Sequence, residues 1–439
     1  MSEINSWKLL KQLEHILESD PLIDEIGFVH PSQFDALNED DGNTSLSHES
    51  ELQPSDKTVI SSDFFWSCKH KLGVSTSALL PLYKAAKDAF MDSLRQYKMQ
   101  NGITNDESDE GNTSKSPSSS SLTVLENEVM KHSRAVLLLS CDFGTAWNLR
   151  KLLVSRRYKY SIFIEELHMS DLVLSYSPKS ERAWSHRSLS YSPKSERAWS
   201  HRRWVIKMVA GKYSNLEEIV DRESEFVKKL SERSKMNYRA WNYRCWLVAY
   251  MSVGQLRGEL NKSQEWAGLH VADNSCFHYR ACLMLRILEA FLNKDQTVCS
   301  SEELHVTWKE ELDWVEKLIK LHVGREALWL HRRFLASSWV KYFAASMMGT
   351  CDIDKFIDNE LQLFNSCATI IDCNFEDYRS QATYAATYIM WLQKQILVEP
   401  LGVECHRKLR VSGLKSLLNN ACPEKAFLWG SLLDVCGFE

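Results

Sequence analysis

The chain has 439 residues, of which 44% are hydrophobic and 25% charged, a composition typical of globular rather than disordered proteins. Its formal net charge of −5 argues against the basic stripe of nucleic-acid-binding proteins, so we expect no nucleic-acid partner. Apolar runs fall short of the roughly 20 residues of a membrane span, and the charged N-terminus lacks a signal-peptide core. We expect a cytoplasmic protein without a transmembrane segment, and the scarcity of glycine (16) and proline (9) favours helices over an all-β fold.

Residues 1–99 are predicted to form an N-terminal helical extension ahead of the main fold. Apolar residues recur with helical spacing over 5–19 and again over about 77–96. Between these helices, residues 36–58 are acidic and polar, which predicts a loop. Residues 100–122 are rich in serine and acidic residues and cannot bury enough apolar surface to offset the entropy lost on ordering. They are predicted to form a disordered insertion.

From about residue 123 onward a five-residue phrase recurs: a small or aliphatic residue, an aromatic residue, a variable residue, a fourth that is usually His or Tyr, and Arg. Recurrence every 20 to 50 residues or so is typical of stacked supersecondary units. Between the phrases, helical periodicity such as that over 301–320 makes each unit a hairpin of two helices. The aromatic and arginine positions are Trp147 and Arg150, Trp199 and Arg202, Trp241 and Arg244, Phe277 and Arg280, and Trp329 and Arg332.

This pattern predicts an all-α fold class, an α-α superhelix built as a solenoid of helical hairpins over residues 123–439. The repeats are clear to about residue 340 and degenerate after it. On a helix, the aromatic residue and the Arg three residues later share one face. We expect the aromatic side chains to fill the space between hairpins. The arginines are expected to reach a carboxylate or free carbonyl groups of an adjoining helix.

One segment occurs twice without change. Residues 174–187 and 189–202 are the same fourteen residues, offset by fifteen. Fifteen residues are too few for a helical hairpin, so the identity indicates a duplication rather than an additional structural unit. The second copy alone continues into Arg203-Trp204-Val205-Ile206, which identifies it as the native segment. Ser192 and Pro193 are predicted to be the N-cap and the first residue of its helix.

The twelve cysteines give no sequence signature of a metal site. None forms a C-x-x-C pair, and the six-residue separations of Cys276 from Cys282 and of Cys367 from Cys373 match no common zinc spacing. We expect most of them to be reduced, small buried side chains. We therefore expect no metal and no cofactor in this chain.

The second repeat reads Pro-x-x-x-x-Ala-Trp-x-His-Arg-x-x-Val over residues 193–205, and this pattern resembles the repeat of protein prenyltransferase α subunits. The resemblance covers about residues 124–340. It implies a helical crescent that pairs with a separate β subunit, and that subunit would hold the catalytic zinc and the isoprenoid pocket. The partners it implies are a β subunit of the Rab geranylgeranyltransferase type, a protein substrate with a C-terminal cysteine, and an isoprenoid diphosphate.

The resemblance also implies site residues. Lys194 stands five residues before the second-repeat tryptophan, where the family has a lysine that faces the diphosphate, and Lys179 holds the same place in the first copy. Because negative charge grows on the departing diphosphate, a positioned ammonium group would stabilise the transition state, which makes Lys194 the candidate catalytic residue. In the third repeat, Asn237 and Tyr238 match the family pattern and are candidate substrate-binding residues.

The sequence departs from that pattern at two positions. Glu196 stands where the family commonly has a tyrosine, and Met236 holds the lysine position of the third repeat. A carboxylate beside a diphosphate is unfavourable unless it is paired, and we expect Arg197 or Lys194 to pair with Glu196.

Two functional hypotheses follow. In the first, the chain is the α subunit of a heterodimeric protein prenyltransferase, inactive alone, that supports transfer of a geranylgeranyl group from its diphosphate to a protein cysteine. In the second, it is a non-catalytic helical-repeat scaffold for protein–protein interaction. Lys194 distinguishes the two, because a scaffold has no need of a lysine at that position.

Overall fold

The computed structural model describes residues 5–33, 60–62, 64–101, 119–175, 195–233, 237–293, 301–343, 350–369, 374–398 and 414–436. It divides into two compact units, Met1–Tyr243 (unit 1) and Arg244–Glu439 (unit 2). The predicted class, all-α with hairpins of the α-α superhelix type, is confirmed by the predominance of helices in both units. Within the described ranges, no helix is both long and apolar enough to cross a bilayer.

The helices of unit 1 include the extension and the first repeats. They are α1 (Ser6–Ser19), α2 (Leu79–Gln100), α3 (Ser119–Leu139), α4 (Gly144–Arg157), α5 (Tyr160–Ser175), α6 (Glu196–Val209) and α7 (Leu216–Arg233). Helix α8 (Tyr238–Leu247) begins in unit 1 and ends in unit 2. The predicted acidic loop 36–58 lies outside the described residues, as do residues 102–118 of the predicted insertion. Helix α3 begins at Ser119, inside the predicted insertion.

Unit 2 is built from the remaining helices. They are α9 (Val253–Leu269), α10 (Asn274–Leu292), α11 (Ser301–Leu321), α12 (Glu326–Ser338), α13 (Thr350–Ala368), α14 (Glu376–Val398), α15 (Leu414–Ala421) and α16 (Ala426–Cys436). A π-helical turn, Trp339–Phe343, extends α12.

A small sheet in the N-terminal extension was not predicted from the sequence. Its strands are β1 (Glu25–Val29), β2 (Ile60–Ser61), β3 (Phe65–Cys68) and β4 (Lys71–Ser75), in the spatial order β1-β4-β3-β2. Strands β1 and β4 are parallel, while β3 is antiparallel to both β4 and β2. Alternate residues such as Ile26, Phe28 and Val74 are buried, so one face of the sheet contributes to the core.

The turn between β3 and β4 explains why the hairpin gave no sequence signal. Lys69 and His70 both have positive φ angles, 49° and 61°, in a position where Asn-Gly or Asp-Gly is usual. The strain is offset by contacts of His70 with the loop after α1. Its Nδ1 lies 3.0 Å from Asp20 Oδ1, and its carbonyl oxygen accepts a 2.9 Å hydrogen bond from the Asp24 N–H.

The repeats alternate two kinds of helix. The Trp helices, α4, α6, α8, α10 and α12, carry the five-residue phrase, and each is followed by a helix that carries one buried glutamate. We call these second helices, α5, α7, α9, α11 and α13, the Glu helices. Trp147, Trp199, Trp241, Phe277 and Trp329 are all buried. The phrase therefore occupies the core of each hairpin.

Candidate functional site

The candidate catalytic lysine, Lys194, and its duplicate Lys179 lie outside the described residues. The next residue, Ser195, is the N-cap of α6: its Oγ accepts from the Ala198 N–H at 3.4 Å and donates to Asp142 Oδ1 at 2.9 Å. The helix therefore begins at Glu196 rather than at the predicted Pro193, and Ser195 rather than Ser192 is its N-cap. Ser192 and Pro193 themselves lie outside the described residues. Lys194 precedes the positive end of the α6 dipole by sequence.

Glu196, in the first turn of α6, is paired with two arginines. Its Oε2 accepts from Arg239 Nη1 at 2.6 Å, and its Oε1 accepts from Arg203 Nη1 at 3.4 Å. Arg197, one of the two predicted partners, instead covers Gly144 at the start of α4, where a Cβ atom would lie 2.0 Å from Arg197 Nη1. The expected neutralisation of Glu196 therefore occurs, but through Arg203 and Arg239 rather than through Arg197.

The two predicted substrate-binding residues have very different surroundings. Asn237 is completely buried and caps α8: its Oδ1 accepts from the Ala240 N–H at 3.3 Å, and its Nδ2 donates to the Leu230 carbonyl at 3.4 Å. Its polar groups are thus used inside the fold. Tyr238, the first residue of α8, is 56% exposed and can meet a ligand.

These residues form one surface of unit 1, which we call the first-turn surface and define as Glu196, Arg203, Tyr238 and Arg239. Glu196, Tyr238 and Arg239 lie at the N-terminal ends of α6 and α8, and Arg203 reaches Glu196 from the middle of α6. The Arg239–Glu196 pair joins the two helices. Two arginines against one glutamate leave a net positive charge, to which the helix dipoles add. The surface can therefore attract an anion, and the phenol of Tyr238 can donate a hydrogen bond to it.

The arginines of the phrase do not reach the first-turn surface; they are buried and bind the glutamates of the Glu helices. Arg150 donates from Nε to Glu166 Oε2 at 3.0 Å and from Nη2 to Glu166 Oε1. Its Nη1 donates to the Met130 carbonyl at 2.7 Å and to Ser133 Oγ at 2.8 Å on the preceding helix. One guanidinium thus connects three helices.

Each buried glutamate also accepts a hydrogen bond from the fourth residue of the next phrase. His201 Nε2 lies 2.8 Å from Glu166 Oε2, and Tyr279 OH lies 2.8 Å from Glu259 Oε2. We call the resulting groups of three side chains glutamate clusters. They are Glu166 with Arg150 and His201, Glu223 with Arg202 and Tyr243, Glu259 with Arg244 and Tyr279, Glu311 with Arg280 and His331, and Glu360 with Arg332 and Tyr388.

In the two clusters that contain a histidine, the electrostatics keep the glutamate ionised. Burial alone would raise the pKa of Glu166, but Arg150 and the hydrogen bond from His201 outweigh it and hold the pKa at about 2. The same balance, with Arg280 and His331, gives Glu311 a pKa of about 2. Burial lowers the pKa of His201 and of His331, against the raising effect of the neighbouring glutamates. Each cluster with a histidine therefore holds an arginine–glutamate ion pair and a neutral imidazole at neutral pH.

Sequence reasoning missed the buried glutamates and Tyr388. Four of the five glutamates are followed by leucine, in the pairs Glu166-Leu167, Glu259-Leu260, Glu311-Leu312 and Glu360-Leu361. A Glu-Leu pair at a position of the apolar stripe is the signal that could have identified them. Tyr388 lies in a phrase, Ala385 to Ile389, that keeps only the small first residue and the tyrosine.

Comparisons with known proteins agree with this repeat structure. The family model described as "Protein prenyltransferase alpha subunit repeat" matches residues 188–209, 220–251 and 308–339. The first match takes in the second copy of the duplicated segment and none of the first copy. "Protein prenyltransferase alpha subunit repeat-containing protein 1" from Homo sapiens is 27% identical over 252 residues, 48% of this chain and 58% of that protein.

Two similar proteins are named as transferase subunits. "Geranylgeranyl transferase type-2 subunit alpha 2" from Arabidopsis thaliana is 24% identical over 239 residues, 50% of this chain and 31% of that protein. "Geranylgeranyl transferase type-2 subunit alpha" from Rattus norvegicus is 25% identical over 167 residues, 36% of this chain and 26% of that protein. The matched region spans little more than half the length even of the repeat-containing relative from Homo sapiens. Together with the Trp and Glu helices, these matches show that three segments of the chain are similar to the protein prenyltransferase alpha subunit repeat.

Proposed function

We propose that the chain is the α subunit of a heterodimeric protein prenyltransferase, active only in the heterodimer, that supports transfer of a geranylgeranyl group from its diphosphate to a protein cysteine. The observation that carries the proposal is the match of three segments to the alpha subunit repeat, together with the similarity to proteins named as geranylgeranyl transferase type-2 alpha subunits. The proposed partner is a β subunit of the Rab geranylgeranyltransferase type, which would supply the catalytic zinc. The proposed location of the heterodimer is the cytoplasm.

The chemical role proposed for this chain is stabilisation of the leaving group. When the cysteine thiolate bonds to C1 of the isoprenoid, the bond from C1 to the diphosphate oxygen breaks and the diphosphate gains negative charge. The ammonium group of Lys194 would bind that charge, since it directly precedes the Ser195 cap and the positive end of α6. Tyr238 would donate a hydrogen bond from its exposed position on the first-turn surface.

The pairing of Glu196 supports this role. An unpaired carboxylate at the start of α6 would repel a diphosphate, but Arg203 and Arg239 both bind it. Since Arg239 neighbours Tyr238 in the chain, loss of the pairing would alter the charge next to the proposed hydrogen-bond donor. The first-turn surface therefore does not become negative, although this chain has Glu196 where the family pattern has a tyrosine.

The experiment that tests the proposal is co-expression with a Rab geranylgeranyltransferase β subunit, followed by transfer of labelled geranylgeranyl to proteins with C-terminal cysteines. Lys194→Ala should lower the transfer rate by about 10²–10³, the loss seen when one electrostatic donor is removed. Lys179→Ala is the matched control, because it removes the same residue from the other copy of the same segment. Equal effects of the two variants, or no transfer by any complex, would contradict the proposal.

A non-catalytic scaffold is the second candidate function. The relatives that are 27% identical are named for the repeat, a name that states no activity. On this alternative, the chain would form a stable complex with a partner protein, and Lys194→Ala would leave that complex unchanged. A pull-down with the β subunit, combined with the transfer assay, separates the two candidates.

A further inference from the structure

Two neighbouring side chains on one helix of unit 2 meet a third, more than thirty residues earlier in the sequence, at the surface. The ligand atoms of Cys245, His278 and Cys282 all lie within 4.8 Å of one another. Both cysteines are half-buried free thiols, and His278 is exposed. Among the described residues, these three side chains are the ones that meet here as possible metal ligands.

Two helices bring the three residues together. Cys245 lies near the end of α8, while His278 and Cys282 are four residues apart on α10 and so share one face of that helix. This i, i+4 spacing directs both side chains of α10 toward Cys245 near the end of α8. Cys276, six residues before Cys282, is completely buried and lies outside the group. The spacing between these two cysteines therefore does not reveal the site.

A glutamate cluster fixes the backbones that carry the three residues. Arg244 directly precedes Cys245, and Tyr279 directly follows His278. Arg244 Nη2 and Tyr279 OH both donate to Glu259 Oε2, at 3.3 Å and 2.8 Å, and the Arg244 guanidinium lies 4.3 Å from the centre of the Tyr279 ring. The buried cluster thus holds the end of α8 against α10 directly beneath the surface group.

The thiols already interact with each other and with the imidazole. The thiols of Cys245 and Cys282 are hydrogen-bonded to each other. Nε2 of His278 lies 3.8 Å from Cys282 Sγ. A thiolate at Cys282 therefore has two neighbours that can share a cation with it.

We propose that Cys245, His278 and Cys282 bind a zinc ion through two thiolates and one imidazole, with a fourth position open to water or to a ligand from another molecule. Sulfur and nitrogen donors in a tetrahedral arrangement favour Zn²⁺ over magnesium or calcium, which take oxygen ligands. Bond lengths of about 2.0–2.3 Å require ligand atoms about 3.5–3.8 Å apart. Closing the group from its present spread takes a movement of about 1 Å, which side-chain rotation supplies.

Binding must release protons, because zinc binds thiolates rather than thiols. The two thiols lose their protons to solvent as the two Zn–S bonds form, and the imidazole binds as the neutral base. The site belongs to this chain and is independent of the zinc proposed for the β subunit. It also goes beyond the proposed function, since neither geranylgeranyl transfer nor scaffolding requires it.

The test uses the full chain, reduced, freed of metal by a chelator and titrated with Co²⁺, whose tetrahedral thiolate complexes have strong visible and charge-transfer absorption. We expect one equivalent to bind with a thiolate-to-cobalt band, and Zn²⁺ to displace it. His278 is exposed, and His278→Ala removes a direct ligand. It should therefore weaken cobalt binding by more than the roughly 10–100-fold that is lost when a residue hydrogen-bonded to a ligand is replaced. Cys282→Ser should lower the charge-transfer band, whereas the control Cys422→Ser, at a half-buried cysteine outside the group, should leave it unchanged.

Three results would overturn the proposal. The first is the absence of a thiolate-to-cobalt band in the reduced, helical wild-type protein. The second is a band that survives in both His278→Ala and Cys282→Ser. The third is a Cys245–Cys282 disulfide, identified by mass spectrometry in the oxidised protein, while the reduced protein binds no cobalt; that outcome would make the pair a redox pair instead.

Discussion

Replacement of Arg280 by methionine tests whether the glutamate clusters hold the repeats together. Arg280 is 1% exposed and its partner Glu311 is 4% exposed. Arg280 donates to Glu311 at 2.9 and 2.5 Å, to the Leu260 carbonyl at 2.6 Å and to Ser263 Oγ at 2.8 Å. Arg280→Met removes these hydrogen bonds and leaves the Glu311 charge buried beside a neutral imidazole. Breaking a buried ion pair in this way costs about 3–5 kcal/mol.

The loss can be measured as a shift in melting temperature by circular dichroism. For a unit of this size, each kcal/mol lowers Tm by about 2–4 °C, so Arg280→Met should lower it by about 6–20 °C. Arg286→Met is the matched control, because Arg286 pairs with Glu289 at the surface, where the two side chains are 40% and 58% exposed. That pair contributes at most about 1 kcal/mol.

A double variant separates two contributions to the loss of stability: the hydrogen bonds that are removed and the buried Glu311 charge that is left without a partner. Glu311→Gln removes the charge but keeps an oxygen that can accept from His331. Arg280→Met combined with Glu311→Gln should therefore be more stable than Arg280→Met alone, although it carries one more substitution. If Arg280→Met is no more damaging than Arg286→Met, or if the double variant is the less stable of the two, the clusters do not act as buried ion pairs and the reasoning fails.

Three further predictions concern other parts of the fold. Trp199→Ala should cost about 3–5 kcal/mol, because Trp199 is completely buried, whereas Trp7→Ala, at a side chain that is 49% exposed, should change stability by about 0.5 kcal/mol or less; equal losses in urea titrations would contradict this. Gly324→Ala should destabilise the protein, because Gly324 has a φ of +75° and a Cβ there would lie 2.8 Å from the Asp377 carbonyl oxygen. Gly258→Ala, inside α9 with open space around it, should stabilise the protein by about 0.5–1 kcal/mol, so the two Tm shifts must have opposite signs. Burial lowers the pKa of His331 below its usual 6.5, so the unfolded chain takes up the proton first and stability falls as pH drops below about 6.5; His331→Tyr should reduce the Tm difference between about pH 7.5 and about pH 5.5, and an unchanged difference would refute the assignment.

The repeat architecture was predictable because its signals are local. A tryptophan and an arginine three residues apart, such as Trp199 and Arg202, mark one helix face without reference to the rest of the chain. The sheet was not predictable in the same way. Its strands are two to five residues long, and the Lys69-His70 turn lacks the glycine that normally marks a two-residue hairpin.

The glutamate clusters were hidden for a different reason. Glu165 is exposed and Glu166 is buried, and the same contrast holds for Glu310 and Glu311. Two adjacent glutamates differ only in the side of the helix on which they lie. At each of these positions, a solvent-exposed glutamate is the usual expectation. The arginine alone predicts that an acidic partner exists; the identity of that partner depends on packing between helices that are distant in the sequence.

The candidate site was predictable only in part. The family pattern identified Asn237 and Tyr238 equally, and the structure separates them: Asn237 caps α8 from inside the fold, while Tyr238 lies on the surface. The role of Lys194 stays a prediction, since it lies outside the described residues. The Cys245–His278–Cys282 group could not be found from spacing, because its members come from two different Trp helices.

The clusters also change how a repeat of this chain is delimited. Each glutamate binds the arginine of the phrase before it and the fourth residue of the phrase after it, so the interacting unit overlaps two sequence repeats. The α14 phrase keeps Tyr388, which donates to Glu360 at 2.8 Å, but has Ile389 in place of arginine. Tyr388 therefore completes the preceding cluster, while Ile389 cannot begin another. The loss of the arginine, rather than of the tryptophan, marks where the series of clusters stops within the described residues.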